Sequence, residues 1–150
     1  MPNDIATTDP IDALKEAAKE AKVEAAKAKT ASDKAAKALA VAEKGLTKAK
    51  EALTAAQEAA KDAKSKEAKK IASDDVAAKK SALAVQETAT KDAKKLAESA
   101  ATHAATLQKD SDKATKAFED EKAKRLAAAK KAADIELPQI AKEINVRVEK

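Results

Sequence analysis

An apolar stripe with heptad spacing runs from Leu14 to Ala63 and constrains the fold more than any other feature of the sequence. Alternate steps of four and three residues meet an apolar side chain at every position except Ser32. The positions are Leu14, Ala18, Ala21, Ala25, Ala28, Ser32, Ala35, Leu39, Ala42, Leu46, Ala49, Leu53, Ala56, Ala60 and Ala63. The average step is about 3.5 residues, at which one narrow face of a helix stays directed at a partner helix. The stripe therefore predicts a long helix with a close helical neighbour.

The amino-acid composition favours long helices over sheets and over a compact globular core. Charged residues make up 38% of the chain and aromatic residues 1%, and most of the hydrophobic 44% is alanine. Alanine, lysine and glutamate are strong helix formers, whereas the β-branched and aromatic residues that favour strands are sparse. Burying an alanine methyl group stabilises a fold far less than burying a leucine side chain. We therefore predict an all-α protein with a thin core.

Capping residues predict the limits of the first helix. Asp9 is suited to the N-cap and Pro10 to the first helical position, where the missing N–H of proline costs nothing. Ser73 or Asp74 is a candidate N-cap for a second helix, with acidic residues in what would be the first turn. We therefore predict one helix over about residues 10–72 and a turn near residues 73–75.

A second stripe follows the predicted turn, with a slightly longer average step of about 3.67 residues. Its members are Val85, Ala89, Ala93, Leu96, Ala100, Ala104, Leu107, Ser111, Ala114 and Phe118, and it resumes at Leu126. Proline disfavours helical geometry at the residue before it, so Pro138 is expected to end this helix at or before Leu137. The second helix is therefore predicted over about residues 75–137.

Folding the chain at the predicted turn places the two stripes opposite each other, with Leu53 facing Ala93 and Leu46 facing Ala100. Large residues then face small ones, as interdigitated packing requires. We predict an elongated antiparallel alanine-rich helical hairpin, a coiled coil, packed into a larger bundle or fibre. The alternative is one continuous long helix in an intermolecular coiled coil. The predicted packing stripe is led by Leu14, Leu39, Leu46, Leu53, Val85, Leu96, Leu107, Phe118 and Leu126.

The two ends of the chain differ in character from the helices between them. Residues 1–9 form a polar N-terminal arm, and residues 138–150 hold much of the branched apolar content. We predict that the C-terminal segment docks on another subunit. Helix and strand remain equally good readings of its backbone. The candidate contacts are Ile140, Ile144, Val146 and Val148.

The sequence offers little from which to build a catalytic, cofactor or metal site. It has no cysteine, a single glycine and one histidine, His103, so phosphate loops, thiolate sites and histidine clusters lack their residues. The net charge is +5, but 26 acidic side chains are interleaved with 31 basic ones. Specific nucleic-acid binding would need basic residues gathered on one face. We therefore predict no enzymatic activity, no cofactor and no specific nucleic-acid partner.

These observations predict a structural or scaffolding protein, such as a spacer, fibre, filament or virion component. It would act as a homo-oligomer and bind other protein subunits through its terminal segments. No apolar run is long enough to cross a membrane, and no secretory signal is recognisable at the N-terminus. The default compartment is therefore the cytoplasm, with a virion or extracellular assembly as alternatives.

Two further functions compete with the structural one. The stretches at residues 58–64 and 87–95 resemble late-embryogenesis-abundant proteins of the Ala/Lys/Glu/Thr-rich type. That resemblance implies a desiccation protectant that is largely disordered in water. A weak, salt-sensitive binder of anionic polymers such as DNA is the other alternative, because the sequence pI is about 9.2.

Overall fold

The chain forms two helices joined by a short turn. The computed structural model describes the backbone of residues 9–148 and the side chains of residues 9–140. Helix α1 spans Pro10–Asp62 and helix α2 spans Lys66–Val148, and the described part of the chain contains no strand. The two helices pack against each other, so the protein is an all-α hairpin. The alternative of one continuous helix is wrong.

Helix α1 begins where the capping residues predict. Asp9 is the N-cap: its Oδ1 accepts a hydrogen bond from the backbone N–H of Ile11 at 3.0 Å. Its carbonyl oxygen accepts from the N–H of Asp12 at 2.9 Å. Pro10 is the first helical residue, so its lack of an N–H leaves no hydrogen bond unmade. The predicted polar arm ahead of this cap, residues 1–8, lies outside the described residues.

The turn lies at residues 63–65 rather than at the predicted 73–75. Ser65 is the N-cap of α2, since its hydroxyl oxygen accepts from the N–H of Ala68 at 3.0 Å. Glu67 places a negative charge in the first turn of α2, where the helix dipole favours it. Ser73 offers the same capping chemistry, but it lies inside the helix. The prediction was made from the residues around Ser73 and did not consider Ser65, which is the N-cap in the structure.

Helix α2 also extends farther than predicted. It passes through Pro138 and continues to Val148, so the prediction that it ends by Leu137 is wrong. Proline removes one backbone hydrogen bond from the helix but does not prevent the residues on either side from remaining helical. The open choice between helix and strand for the C-terminal segment is thereby settled as helix up to Val148, and residues 149–150 lie outside the described part.

The covered face of α1 is the face on which the heptad stripe lies. Every position of that stripe from Leu14 to Ala63 is buried or partly buried, including Ser32. The most buried apolar side chains are all small, namely Ala18, Ala25, Ala28, Ala35 and Ala56, each 5–9% exposed. No large apolar side chain among the described residues is fully buried. Small side chains allow the helices to approach closely, and each contributes little to stability.

The covered face of α2 differs from the prediction by one residue in its N-terminal half. Gln86, Thr90 and Ala97 are partly buried, in place of the predicted Val85, Ala89 and Leu96. Val85 is 71% exposed and Leu96 is 62% exposed. The prediction is therefore wrong for these residues, and also for Leu126, which is 59% exposed. Leu107 and Phe118 are partly buried.

The predicted pairing of residues across the hairpin is also wrong. The backbone carbonyl of Ala42 lies within hydrogen-bond distance of Gln86 and Thr90, so this level of α1 faces that level of α2. Leu46 therefore does not face Ala100. Because the turn lies nearer the N-terminus than predicted, each residue of α1 faces a residue of α2 that is also nearer the N-terminus than predicted. The error in the pairs thus follows from the error in the turn.

The chain divides into two compact units. The first combines the chain up to Ala25 with the chain from Leu107 onward, and the second spans residues 26–106. The second unit contains the turn and the Ala42 contacts. The first contains the start of α1 and the C-terminal part of α2, where the predicted docking segment lies.

Candidate functional site: the unpaired segment of helix α2

The C-terminal part of α2 continues beyond the start of α1. Glu121 is the last residue of α2 with a partly covered side chain, and every described side chain from residue 122 to residue 140 is exposed. Helix α1 begins at Pro10, so it has no helical residues with which to cover this part of α2. We call residues 122–140, whose side chains are described and exposed, the unpaired segment. At 1.5 Å per residue it is about 28 Å long.

A bidentate ion pair marks the point where the unpaired segment begins. Nη1 of Arg125 lies 2.8 Å from Oδ2 of Asp9, and Nη2 lies 2.6 Å from Oδ1. Nε of the same guanidinium group lies 3.4 Å from Oε1 of Glu121, one turn earlier on α2. The carboxylate that caps α1 is thus also bound to α2. The contact fixes the start of α1 against one level of α2, within the first unit.

The pKa of Asp9 is set by the two groups that donate hydrogen bonds to its carboxylate. The Arg125 guanidinium group, and after it the backbone N–H of Ile11, lower the pKa of Asp9 from 3.8 to about 2. Asp9 in turn raises the pKa of Arg125. The side chains of Arg125 and Asp9 remain 40% and 46% exposed, so solvent screens much of their attraction. The pair therefore serves mainly to position the two helices.

No protein-family model, curated protein or solved structure matches the chain.

The predicted contact Ile140 lies on the unpaired segment and is 51% exposed. The backbone of Ile144, Val146 and Val148 continues the helix, while their side chains lie outside the described part. Sequence reasoning had placed Leu126 in the hairpin seam, but the structure places it here.

The apolar side chains of the unpaired segment gather on one face. At about 100° per residue, Leu126, Ala129, Ala133, Leu137 and Ile140 fall within an arc of about 80°. We call these five residues the terminal face. Leu126, Leu137 and Ile140 are 59%, 65% and 51% exposed. Ile135 lies on the opposite side of the helix and is 62% exposed.

A polar contact in the second unit was missed by the sequence analysis. Nε2 of Gln86 donates a hydrogen bond to the carbonyl oxygen of Ala42 at 3.0 Å. Oγ1 of Thr90 lies 3.2 Å from the same oxygen and 2.7 Å from the carbonyl oxygen of Gln86. A Cβ atom at Gly45 would lie 2.7 Å from Nε2 of Gln86. The only glycine of the chain was the available signal for this close approach.

Among the described residues, no His, Cys, Asp and Glu side chains form a group of three that could hold a metal ion. His103 is exposed on α2. A groove beside the turn is open to solvent and is lined by Ala59, Asp62, Ala63, Ala68, Ile71, Ala72 and Asp75. Neither helix, as far as it is described, has a stretch long and apolar enough to cross a membrane.

Proposed function

We propose that this chain is a non-enzymatic structural or scaffolding protein that acts through self-association and through contacts made by its ends. The observation that carries the proposal is the unpaired segment of α2, which presents Leu126, Leu137 and Ile140 to solvent on one face. A face of this kind on a helix without a neighbour is typical of a surface that binds another helix.

The thin seam between the helices supports the same proposal. The buried apolar side chains of α1 are alanines, and alanine burial contributes little free energy per residue. A hairpin held by such a seam gains stability when further helices cover its remaining apolar residues, as in larger bundles. A filament, a spacer or a component of a virion or extracellular assembly fits this description, as does a cytoplasmic scaffold.

The test combines light-scattering mass with far-ultraviolet circular dichroism on the purified chain in dilute buffer. A structural assembler should be strongly helical and have a mass above that of one chain. A random-coil spectrum that becomes helical on drying would instead support a protectant similar to the late-embryogenesis-abundant proteins, and it would overturn the structural proposal. A monomeric chain at every concentration would also overturn it.

Binding to anionic polymers is measured in the same samples. Retention on DNA that disappears as salt is raised would support the weak, salt-sensitive polymer binder considered above. The structural proposal is favoured over polymer binding because acidic and basic residues are interleaved along both helices. A polymer-binding surface would need basic residues gathered on one face.

A further inference from the structure

We propose that the terminal face pairs with the same face of a second copy of this chain, with the two helices antiparallel. The inference rests on the proposed structural function and deepens it by naming the partner and the surface. Its starting point is the position of the terminal face on α2. In the first unit, the last covered side chain of α2 is that of Glu121, and the terminal face begins at Leu126, farther along the helix. A second helix can therefore lie against the terminal face without displacing α1.

The order of side chains along the face is self-complementary in the antiparallel direction. When Leu126 of one copy faces Leu137 of the other, Ala129 faces Ala133 of the second copy, and the reverse contacts follow from the two-fold symmetry. Two leucine pairs then enclose a central region of alanines. This spacing allows the helix axes to approach closely at the centre, while the leucines close both ends.

The charges that flank the face are also complementary in this direction. Lys130, at one edge of the face, is placed beside Asp134 of the second copy, and the symmetry repeats the pair. On the other edge, Glu136 is placed near Arg125 of the second copy, whose guanidinium group also binds Asp9 and Glu121 of its own chain. Opposite charges that flank an apolar seam set the orientation of paired helices.

A parallel pair lacks this complementarity. In a parallel pair in register, each edge of the seam meets the opposite edge of the second copy, so Lys130 would lie near Arg125 of the second copy. Like charges placed together disfavour that orientation. The self-complementary order of residues 126–137 therefore selects the antiparallel arrangement and a second copy as the occupant.

The experiment is a sedimentation-equilibrium measurement of the full chain over about 10 µM to 1 mM, because a short, alanine-rich interface is expected to bind weakly. Leu137→Lys should raise the dissociation constant of the dimer about tenfold or more, since it places a charge in the seam. The matched control is Ile135→Lys, on the opposite side of the same helix at nearly the same exposure. The control should leave the dissociation constant unchanged.

Orientation is tested by exchanging the flanking charges. Lys130→Asp should weaken the dimer, and adding Asp134→Lys in the same chain should restore it, because the exchanged charges meet across the seam only in antiparallel copies. A double variant that stays as weak as the single one would overturn the antiparallel assignment. The chain has no cysteine, so Ala133→Cys also gives a clean test: oxidation should link two copies near the symmetry axis.

The outcomes separate this inference from the proposed function. An oligomer that Leu137→Lys leaves intact would overturn the inference while the structural function stands. A monomeric wild type overturns both. A monomeric wild type whose helix content falls in the Leu137→Lys variant would further indicate that residues 1–8 occupy the face.

Discussion

Replacing Gly45 with alanine tests whether the polar contact between the helices exists as described. The added Cβ would lie 2.7 Å from Nε2 and 3.1 Å from Cδ of Gln86, so the Gln86 amide must move. Movement breaks its 3.0 Å hydrogen bond to the carbonyl oxygen of Ala42. Losing that bond costs about 0.5–1.5 kcal/mol. Alanine in a helix interior gains about 1 kcal/mol over glycine. The two effects nearly cancel, and we expect little change in the free energy of unfolding.

A double-mutant cycle separates the two effects. In a Gln86→Ala background there is no amide to displace, so Gly45→Ala should stabilise the chain by about 1 kcal/mol. The control background is Gln57→Ala, an exposed glutamine on α1, in which Gly45→Ala should again have little effect. Urea unfolding followed by far-ultraviolet circular dichroism measures all six chains. If Gly45→Ala stabilises the wild type and the Gln86→Ala variant equally, the contact is absent and the reasoning is refuted.

Three further predictions concern the ends of the helices. The pKa of Asp9 is lowered from 3.8 to about 2, so its bond to Arg125 stabilises the folded chain above about pH 4 and loses that contribution as the pH falls towards 2. An NMR titration of the Asp9 carboxyl carbon should find its midpoint near 2 in the wild type and at a higher pH in Arg125→Ala, where the Ile11 N–H still keeps it below the ordinary value. Ser65→Ala should destabilise the chain by about 1 kcal/mol because it removes the N-cap of α2, whereas Ser73→Ala, inside the helix, should not. Chemical unfolding measures the free energy of unfolding of both variants. A larger loss in Ser73→Ala than in Ser65→Ala would contradict the position of the turn. Pro138→Ala supplies a missing backbone donor and should slow amide hydrogen exchange in the last turns of α2, and unchanged exchange would show that the helix is not continuous there.

The covered face of α1 could be predicted because the heptad spacing is visible in α1 alone, whichever helix packs against it. Leu14, Leu39, Leu46 and Leu53 lie on the covered face because any helix packed along that stripe would cover them. The start at Asp9 and Pro10 was equally accessible, since capping depends on residues within one turn. Local rules were sufficient for these features.

The turn and the face of α2 depend on longer-range information. Ser65 and Ser73 are similar N-cap candidates, and only the fit of the whole hairpin separates them. Counting apolar residues favoured Val85, whereas the structure uses Gln86 because its amide reaches a carbonyl on the other helix. A polar residue in a seam is recognisable only once its partner is known.

Only part of the candidate site could be predicted, because the rest also depends on long-range contacts. Composition identified the C-terminal segment and Ile140 as unusual, and the structure places Ile140 on an exposed helix. The prediction missed Leu126 and Leu137 as members of that surface, because the misplaced turn gave Leu126 a partner on α1 that it does not have. Where α1 begins relative to α2 decides which apolar residues are left uncovered.

The alanine seam also makes the length of the hairpin adjustable. One heptad of the α1 stripe resembles the next, so inserting seven residues at the same level of both helices would keep the α1 stripe in phase and lengthen the pair by about 10 Å. Inserting seven residues in α1 alone would instead cover part of the unpaired segment of α2. Removing seven residues from α1 would leave a longer part of α2 exposed. Gain or loss of heptads could thus change the length of the hairpin and the length of the exposed part of α2 separately, without substituting any existing residue.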